Sequence, residues 1–141
     1  MAKSNDVEDD TLDYWLTTTA LGSLNISTRP IAWWIALYTS DPTDADTGDE
    51  VDATTDDTEY VRITVDFGSA SAGSSKNTSV VTFPACAYGS NAVAYDVTHV
   101  AIFDAVTAGN MLYHSALTTT KTVETGEQVN FGVNDLTITE S

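Results

Sequence analysis

The sequence predicts an all-β chain: an antiparallel β-sandwich of six to eight strands with one N-terminal α-helix. Three observations lead there. From residue 31 onward the hydrophobic period is two, clearest where Val61, Ile63, Val65 and Phe67 alternate with Arg62, Thr64 and Asp66, as a half-buried antiparallel strand requires. The apolar runs are short and are punctuated by turn residues with no helical stretch between them, which argues against a parallel α/β fold. Residues 7–21 alone follow helical spacing, with Leu12, Trp15, Leu16 and Ala20 on one stripe. A chain of 141 residues with 42% hydrophobic content can bury one core without a metal or disulfide staple.

Taken in order, the helix has Asn5 or Asp6 to cap it, early acids suited to the helix dipole, and Gly22 to close it. Thr17 to Thr19 oppose it, because β-branched residues lose side-chain freedom in a helix. The chain then divides into 1–30, the helix and linker packed on the body, and 31–141, the sandwich. IAWWIALYT, residues 31–39, is a strand stopped by Ser40-Asp41-Pro42. Trp33 and Trp34 must point to opposite faces. One enters the core, and the other needs a cover, either the N-terminal helix, which is the commoner solution, or a neighbouring subunit.

EYVRITVDF, residues 59–67, is the next strand; GSASAGSSK, 68–76, is a small polar connector; NTSVVTFP is a third strand ended by Pro84. VTHVAIFDA and MLYHSALTT form a hairpin with Gly109-Asn110 at its tip. A second hairpin turns at Thr125-Gly126 into QVNFGVN, with Val129, Phe131 and Val133 on one face, and LTITE closes the chain.

The 5 basic residues against 21 acidic give a net charge of −16, which excludes a nucleic-acid partner, since phosphate binding needs a cationic face. Self-repulsion of this size burdens the compact state at low ionic strength. With Lys3, Lys76 and Lys121 the only lysines, the composition fits a protein working in brine, where the Debye length falls to about 3 Å at 1 M salt. The start MAKSNDVEDD has no apolar signal core, and no run of about 18 apolar residues is present, so neither an ordinary secretory signal nor membrane insertion is expected. Cys86 has no cysteine partner and reads as a small core residue. Asn25 and Asn77 occupy N-x-Ser tripeptides, which matter only in a glycosylating host.

Four stretches of the sequence could carry chemistry. DADTGDEVD, residues 44–52, lacks the glycine position and the twelfth-place glutamate of a calcium loop. A looser cation site from Asp44, Asp46, Asp49 and Glu50 is the sharper alternative to a hydrated loop, which is preferred. His99 is expected opposite Ser115 or nearby in the hairpin, hence near His114, but two histidines lack the third and fourth ligands of a zinc site. There is no G-x-S-x-G, and residues 68–76 lack the ending of a phosphate-binding loop. No catalytic residue and no cofactor are assigned, and no enzymatic activity is expected. Tyr88 and Tyr95, in the loop AYGSNAVAYD, would serve a carbohydrate-binding module if exposed, although packing against the sandwich edge is the preferred reading.

The collinear series WIALYTSDP, EYVRITVDF, NTSVVTFP and VTHVAIFDAVTAGNMLYHSALTTTKTVETGEQVNFGVNDLTIT resembles the small tailed-phage virion proteins known as tail fibre proteins. The likeness runs from about residue 7 to the end, and no single motif in it is chemically specific. It implies a β-rich structural subunit of the virion, working as a homo-oligomer with other virion proteins and without enzymatic function. The location stays open between a tail fibre or other appendage and a head decoration or turret. On this reading Trp15, Trp33 and Trp34 belong to interfaces, and Tyr88 and Tyr95 to contact with a host glycan or receptor. The acidity of residues 41–59 points to a tailed virus of a haloarchaeon.

Overall fold

The computed structural model describes residues 1–5, 7–8 and 32–139. Among the described residues nine strands are formed: β1 (Ala2–Lys3), β2 (Trp33–Tyr38), β3 (Ile63–Val65), β4 (Ser74–Lys76), β5 (Val81–Thr82), β6 (Tyr95–Phe103), β7 (Met111–Val123), β8 (Asn130–Phe131) and β9 (Thr137–Thr139). All pair antiparallel. A five-stranded sheet has the order β1-β7-β6-β2-β3, and two separate ribbons pair β4 with β9 and β5 with β8.

The alternation expected of β2 sorts its side chains into two environments. Ile35 and Leu37 join Val65, Val97, Val100, Ile102 and Val123 on one face of the large sheet. Against them pack Val81, Phe83, Val129 and Leu136, from the ribbons and the segments that enter them. Each such fully buried aliphatic side chain contributes roughly 1.5–3 kcal/mol. Tyr60 stacks on Phe83 with ring centroids 6.1 Å apart, and Phe131 meets Phe83 edge-on at 6.5 Å. Ala36, Tyr38, Ala101, Phe103 and Met111 form a smaller cluster on the other face. Trp33 packs against the main core and is the inward-facing member of the pair; Trp34, one residue on, lies on the opposite face and is half-buried.

The β6–β7 hairpin turns where expected. Ala108 and Gly109 have φ of 51° and 77°, and Asp104 accepts hydrogen bonds from the Asn110 backbone (2.7 Å) and side chain (2.9 Å). A Cβ on Gly109 would stand 2.5 Å from that carboxylate, so glycine is required there for its space as well as its φ.

Four expectations are corrected. The connector 68–76 is not wholly irregular, because Ser74–Lys76 forms β4. The third strand shrinks to Val81–Thr82. The second hairpin does not form: Gly126 (φ 84°) turns the chain, but its amide is captured by the Cys86 carbonyl at 2.7 Å. The outgoing segment is thereby led along residues 83–86, with Phe83 N–H on Val129 O and Cys86 N–H on Glu127 O, and β8 pairs with β5 instead of β7. Finally, residues 2–3 are not linker but the edge strand β1, in register with His114 and Tyr113.

Ser4, not Asn5, opens the helical turn that follows, and Asp6 lies outside the described residues. The Ser4 Oγ accepts from Val7 N–H and its carbonyl from Glu8 N–H. The rest of the expected 7–21 helix, Trp15 included, lies outside the described residues, as does Asn25. Among the described residues no helix is long and apolar enough to cross a membrane. Asn77 is fully buried and its amide is engaged on both sides, which closes it to glycosylation in the folded chain.

Candidate functional site: the acidic cover over one sheet face

Residues 39–51 fold back over the end of β2 instead of extending into solvent. Asp41 accepts from Thr43 N–H at 2.9 Å, Thr47 N–H reaches Pro42 O at 2.7 Å, and Ser40 and Asp49 exchange bonds. Thr39 N–H binds Asp49 O and Val51 N–H binds Leu37 O, which returns the chain beside β2. Gly48 makes the return this tight, since a Cβ there would meet Asp41 O at 2.5 Å. These are short polar side chains closing turns on their own backbone, the usual use of Asp, Ser and Thr in loops.

The carboxylates proposed for a cation each have a different partner. Asp46 accepts the Tyr38 hydroxyl (2.6 Å), Asp44 faces His114 Nε2 (2.9 Å), Asp49 pairs with Ser40, and Glu50 takes Arg62. Among the described residues no three His, Cys, Asp or Glu side chains are grouped to hold a metal ion.

Arg62 is the residue that sequence reasoning missed. The alternation of residues 60–67 marks it as solvent-facing, yet its side chain is 8% exposed. Nε and Nη2 donate to the two Glu50 oxygens at 2.8 and 2.6 Å, and Nη1 donates to Ala105 O and Ala108 O at the hairpin tip. The guanidinium also lies 3.5 Å above the Phe103 ring. Burial works against its charge, but the Glu50 bonds win and hold its pKa above the ordinary value. The only available signal was scarcity: it is one of two arginines in the chain.

The following segment is stitched to the tyrosine loop. Asp52 accepts from the Thr54 and Thr55 amides, and these bonds, Thr55's foremost, hold its carboxyl below the usual range. Gly89, Ser90 and Asn91 donate to the carbonyls of Asp56, Thr54 and Thr55. Asp57, buried, accepts from the Glu59 and Ala87 amides and from the Tyr95 hydroxyl at 2.9 Å. Tyr95 is therefore not an exposed ligand platform, and its expected receptor contact is corrected: its ring is packed and its hydroxyl is spent on Asp57. Tyr88 is partly buried against the main core, the packed alternative. Cys86 is buried too, and desolvation, then the neighbouring Asp57, pushes its thiol up to about 11.

Tyr38, Tyr60 and Tyr95 all have raised pKa values, in each case chiefly because burial disfavours the phenolate and next because of Asp46, Glu50 and Asp57 respectively. The sign follows directly. The stabilisation is complete below the unfolded value of about 10 and is lost as pH rises above it, because the unfolded chain ionises where the folded chain does not. Unfolding is expected on raising the pH beyond about 10, with tyrosinate absorbance appearing together with loss of circular dichroism; ionisation of all three with the fold intact would contradict this.

His99 pairs with Ala116 and His114 with Ala101, one residue from the expected register, and both rings face Asp41 (3.8 and 4.0 Å). A groove of about 300 Å³ lies on the other face between Trp33, Phe67, Tyr113 and Ile138. The carboxylates of Asp41, Asp44, Asp46, Asp49, Glu50, Asp52 and Asp57 are thus used to close turns and to bind Ser, Tyr, His and Arg side chains.

No curated protein matches the chain. A family model described as Podophage GP4 fiber I protein gp80 matches residues 2–139, nearly the entire length. That span takes in both the antiparallel sheet and its acidic cover, and it agrees with the segment-by-segment likeness to tail fibre proteins. The chain belongs to the podophage GP4 fiber I protein gp80 family, and is a virion structural protein of the tail-fibre type that works in contact with other virion components.

Proposed function

We propose that this protein is a non-enzymatic fibre subunit that acts as a homo-oligomer, one surface bound to the virion and another turned to the host. The family match over residues 2–139 carries this reading. It favours a tail appendage over a head decoration or turret. Trp15 and Trp34 are the aromatic residues assigned to subunit contacts. The host-facing surface is the 87–94 loop, where Val93 is 59% exposed beside the partly buried Tyr88. Burial of Tyr95 takes away half of the aromatic pair on which an isolated carbohydrate-binding module rested. Antibody labelling of intact particles in cryo-electron microscopy tests the location: label on the tail is expected, and label on the capsid shell would overturn the fibre reading. Light scattering behind size exclusion tests the oligomer, and a monomer at particle-like concentrations would remove it.

The working medium is strong brine, and the virus is one of a haloarchaeon. Five basic side chains cannot neutralise 21 acids, so the compact state depends on screening. Dialysis below roughly 0.5 M salt, where the Debye length exceeds about 4 Å, is expected to abolish the folded dichroism or dissociate the oligomer. An unchanged spectrum in dilute buffer would sink the brine reading while leaving the fibre assignment intact.

A further inference from the structure

Charge is distributed unevenly over the fold. Ten of the 21 acids fall within residues 41–66, whereas the 29 residues from Phe67 to Tyr95 contain none. Lys76 is the only charged residue in the ribbon strands β4, β5, β8 and β9. Asp66 and Asp135 border this surface, and the Asp135 carboxylate is held by Gly132 N–H at 2.7 Å. Residues 67–78 form an ordered hairpin there. Ser71 and Ser74 exchange backbone bonds at 2.8 and 3.1 Å, Gly68 N–H reaches Lys76 O at 2.9 Å, and Thr78 N–H reaches Asp66 O at 2.9 Å. Its two-residue turn is Ala72 and Gly73, with φ of 51° and 74°, both in the left-handed region that a tight hairpin turn requires. A hollow lies on each side of β4. One is the groove between Trp33, Phe67, Tyr113 and Ile138, which extends to Ala70 and Ser75 and has no charged residue in its lining. The other, also of about 300 Å³, is lined chiefly by serines with Lys76 and Asn134. On the neighbouring ribbon Val80 and Val133 are 59% and 49% exposed, in segments that the Asn77 amide draws together through Ser79 O and Gly132 O.

We propose that a second copy of this chain docks on this face, with the 67–78 hairpin and its apolar groove set against the same elements of the other copy about a twofold axis. Charge selects the occupant. Two chains of net charge −16 repel wherever their carboxylates meet, and like charges set opposite one another across an interface are strongly disfavoured. An isologous contact brings the acid-free surface of one copy onto the acid-free surface of the other, so no carboxylate of the 67–78 hairpin has to be neutralised or displaced. It also covers the groove and places Val80 and Val133 at the rim of the contact, where apolar area leaves water. The small side chains of the hairpin, Ser, Ala and Gly from 68 to 75, let the second backbone come close. This inference rests on the homo-oligomer reading above and gives it a surface. That surface lies on the other side of the sheet from Trp34, whose contacts are a separate matter.

The test uses the full chain in high salt. Analytical ultracentrifugation gives the dissociation constant, and amide hydrogen exchange, measured above and below that concentration, maps the contact on the unaltered chain. Protection at Ser69–Lys76 should rise as free monomer is depleted, while protection in the acidic cover, residues 41–50, stays constant. Ala70→Glu sets carboxylate against carboxylate across the axis and should raise the dissociation constant by at least roughly tenfold. Its dichroism should be unchanged, because Ala70 is exposed in the single chain. Ala70→Ser, as small and as uncharged, should move the constant by no more than about twofold. An oligomer whose protection builds up elsewhere, or whose dissociation is the same in Ala70→Glu, would overturn this face and leave the homo-oligomer standing. A chain that stays monomeric at every concentration would remove both, and would leave the face to another virion component.

Discussion

Arg62→Ala is expected to destabilise the folded chain by about 3–5 kcal/mol, the range for removing one partner of a buried ion pair, and toward its lower end because the Glu50 side chain is 26% exposed. The size of the effect comes from what is left behind. Glu50 loses both bonds from the guanidinium while still accepting the Tyr60 hydroxyl at 2.7 Å. The Ala105 and Ala108 carbonyls lose their donor, and Phe103 loses the cation above its ring. Three pieces of chain distant in sequence, the acidic cover, the lead-in to β3 and the β6–β7 tip, are joined through this side chain. Arg62→Lys should recover only part of the loss, since an ammonium cannot reproduce the fork that spans Glu50 and the hairpin tip. Glu50→Gln combined with Arg62→Met should cost less than Arg62→Ala alone, because no charge is then stranded. Denaturant unfolding in high salt measures all three; a loss under about 1 kcal/mol for Arg62→Ala would show that the network is solvated in practice.

Asn77 is the second position of large effect. Its amide donates to Ser79 O and Gly132 O at 2.8 Å each, and its Oδ1 accepts from Leu136 N–H at 2.9 Å. The backbone is engaged as well, with Asn77 N–H on Leu136 O and Asn134 N–H on Asn77 O. The residue fastens the start of β9 and the bend after β8 to the segment between β4 and β5. Asn77→Ala leaves the buried Leu136 N–H and the partly buried Ser79 and Gly132 carbonyl bonds without a partner; with about 1–3 kcal/mol for the buried group and less for the other two, a total of about 2–4 kcal/mol is expected. Asn77→Asp keeps the shape but turns two donors into acceptors aimed at carbonyls, and it should be at least as damaging at neutral pH. Its defect should ease in acid, when the carboxyl regains a donor. Equal stability of Asn77→Asp and wild type across pH would refute this account of the ribbon.

How much of this was legible in advance depended on whether the cause was local. The apolar run of residues 97–103 and the Gly109-Asn110 turn are encoded within a few residues of where they act, and β6 and the first hairpin were found; of the strand expected over 59–67 only Ile63–Val65 forms, and Val61, expected inward, is 42% exposed. Ser74–Lys76 was missed as a strand because Ser and Lys carry no β signal; β4 exists because β9, more than sixty residues later, provides its partner. The histidine pair was placed within one residue, but the third group, Asp41, was not foreseen, since the turn that brings it back over β2 is closed by Ser40, Thr43 and Asp49. Arg62 looks exposed by pattern but is covered by loops whose paths cannot be read from strand periodicity, whereas Tyr95 is packed, as its preferred reading has it, on a partner, Asp57, that only the fold supplies.

By itself the sequence determined that the chain is β-rich and antiparallel, that it carries a net charge of −16, and that it has the segment order of a tail-fibre protein. Those properties follow from period, net charge and collinear order, which survive without coordinates. Only the tertiary structure decided that β8 joins β5, that Trp33 is the inward tryptophan, and that the carboxylates serve as partners for Arg62, His114, Tyr38 and Tyr95. The reason is physical: a carboxylate in a loop has the same composition whether it meets water or a buried donor, and the difference is fixed by which distant strand the intervening turns bring beside it.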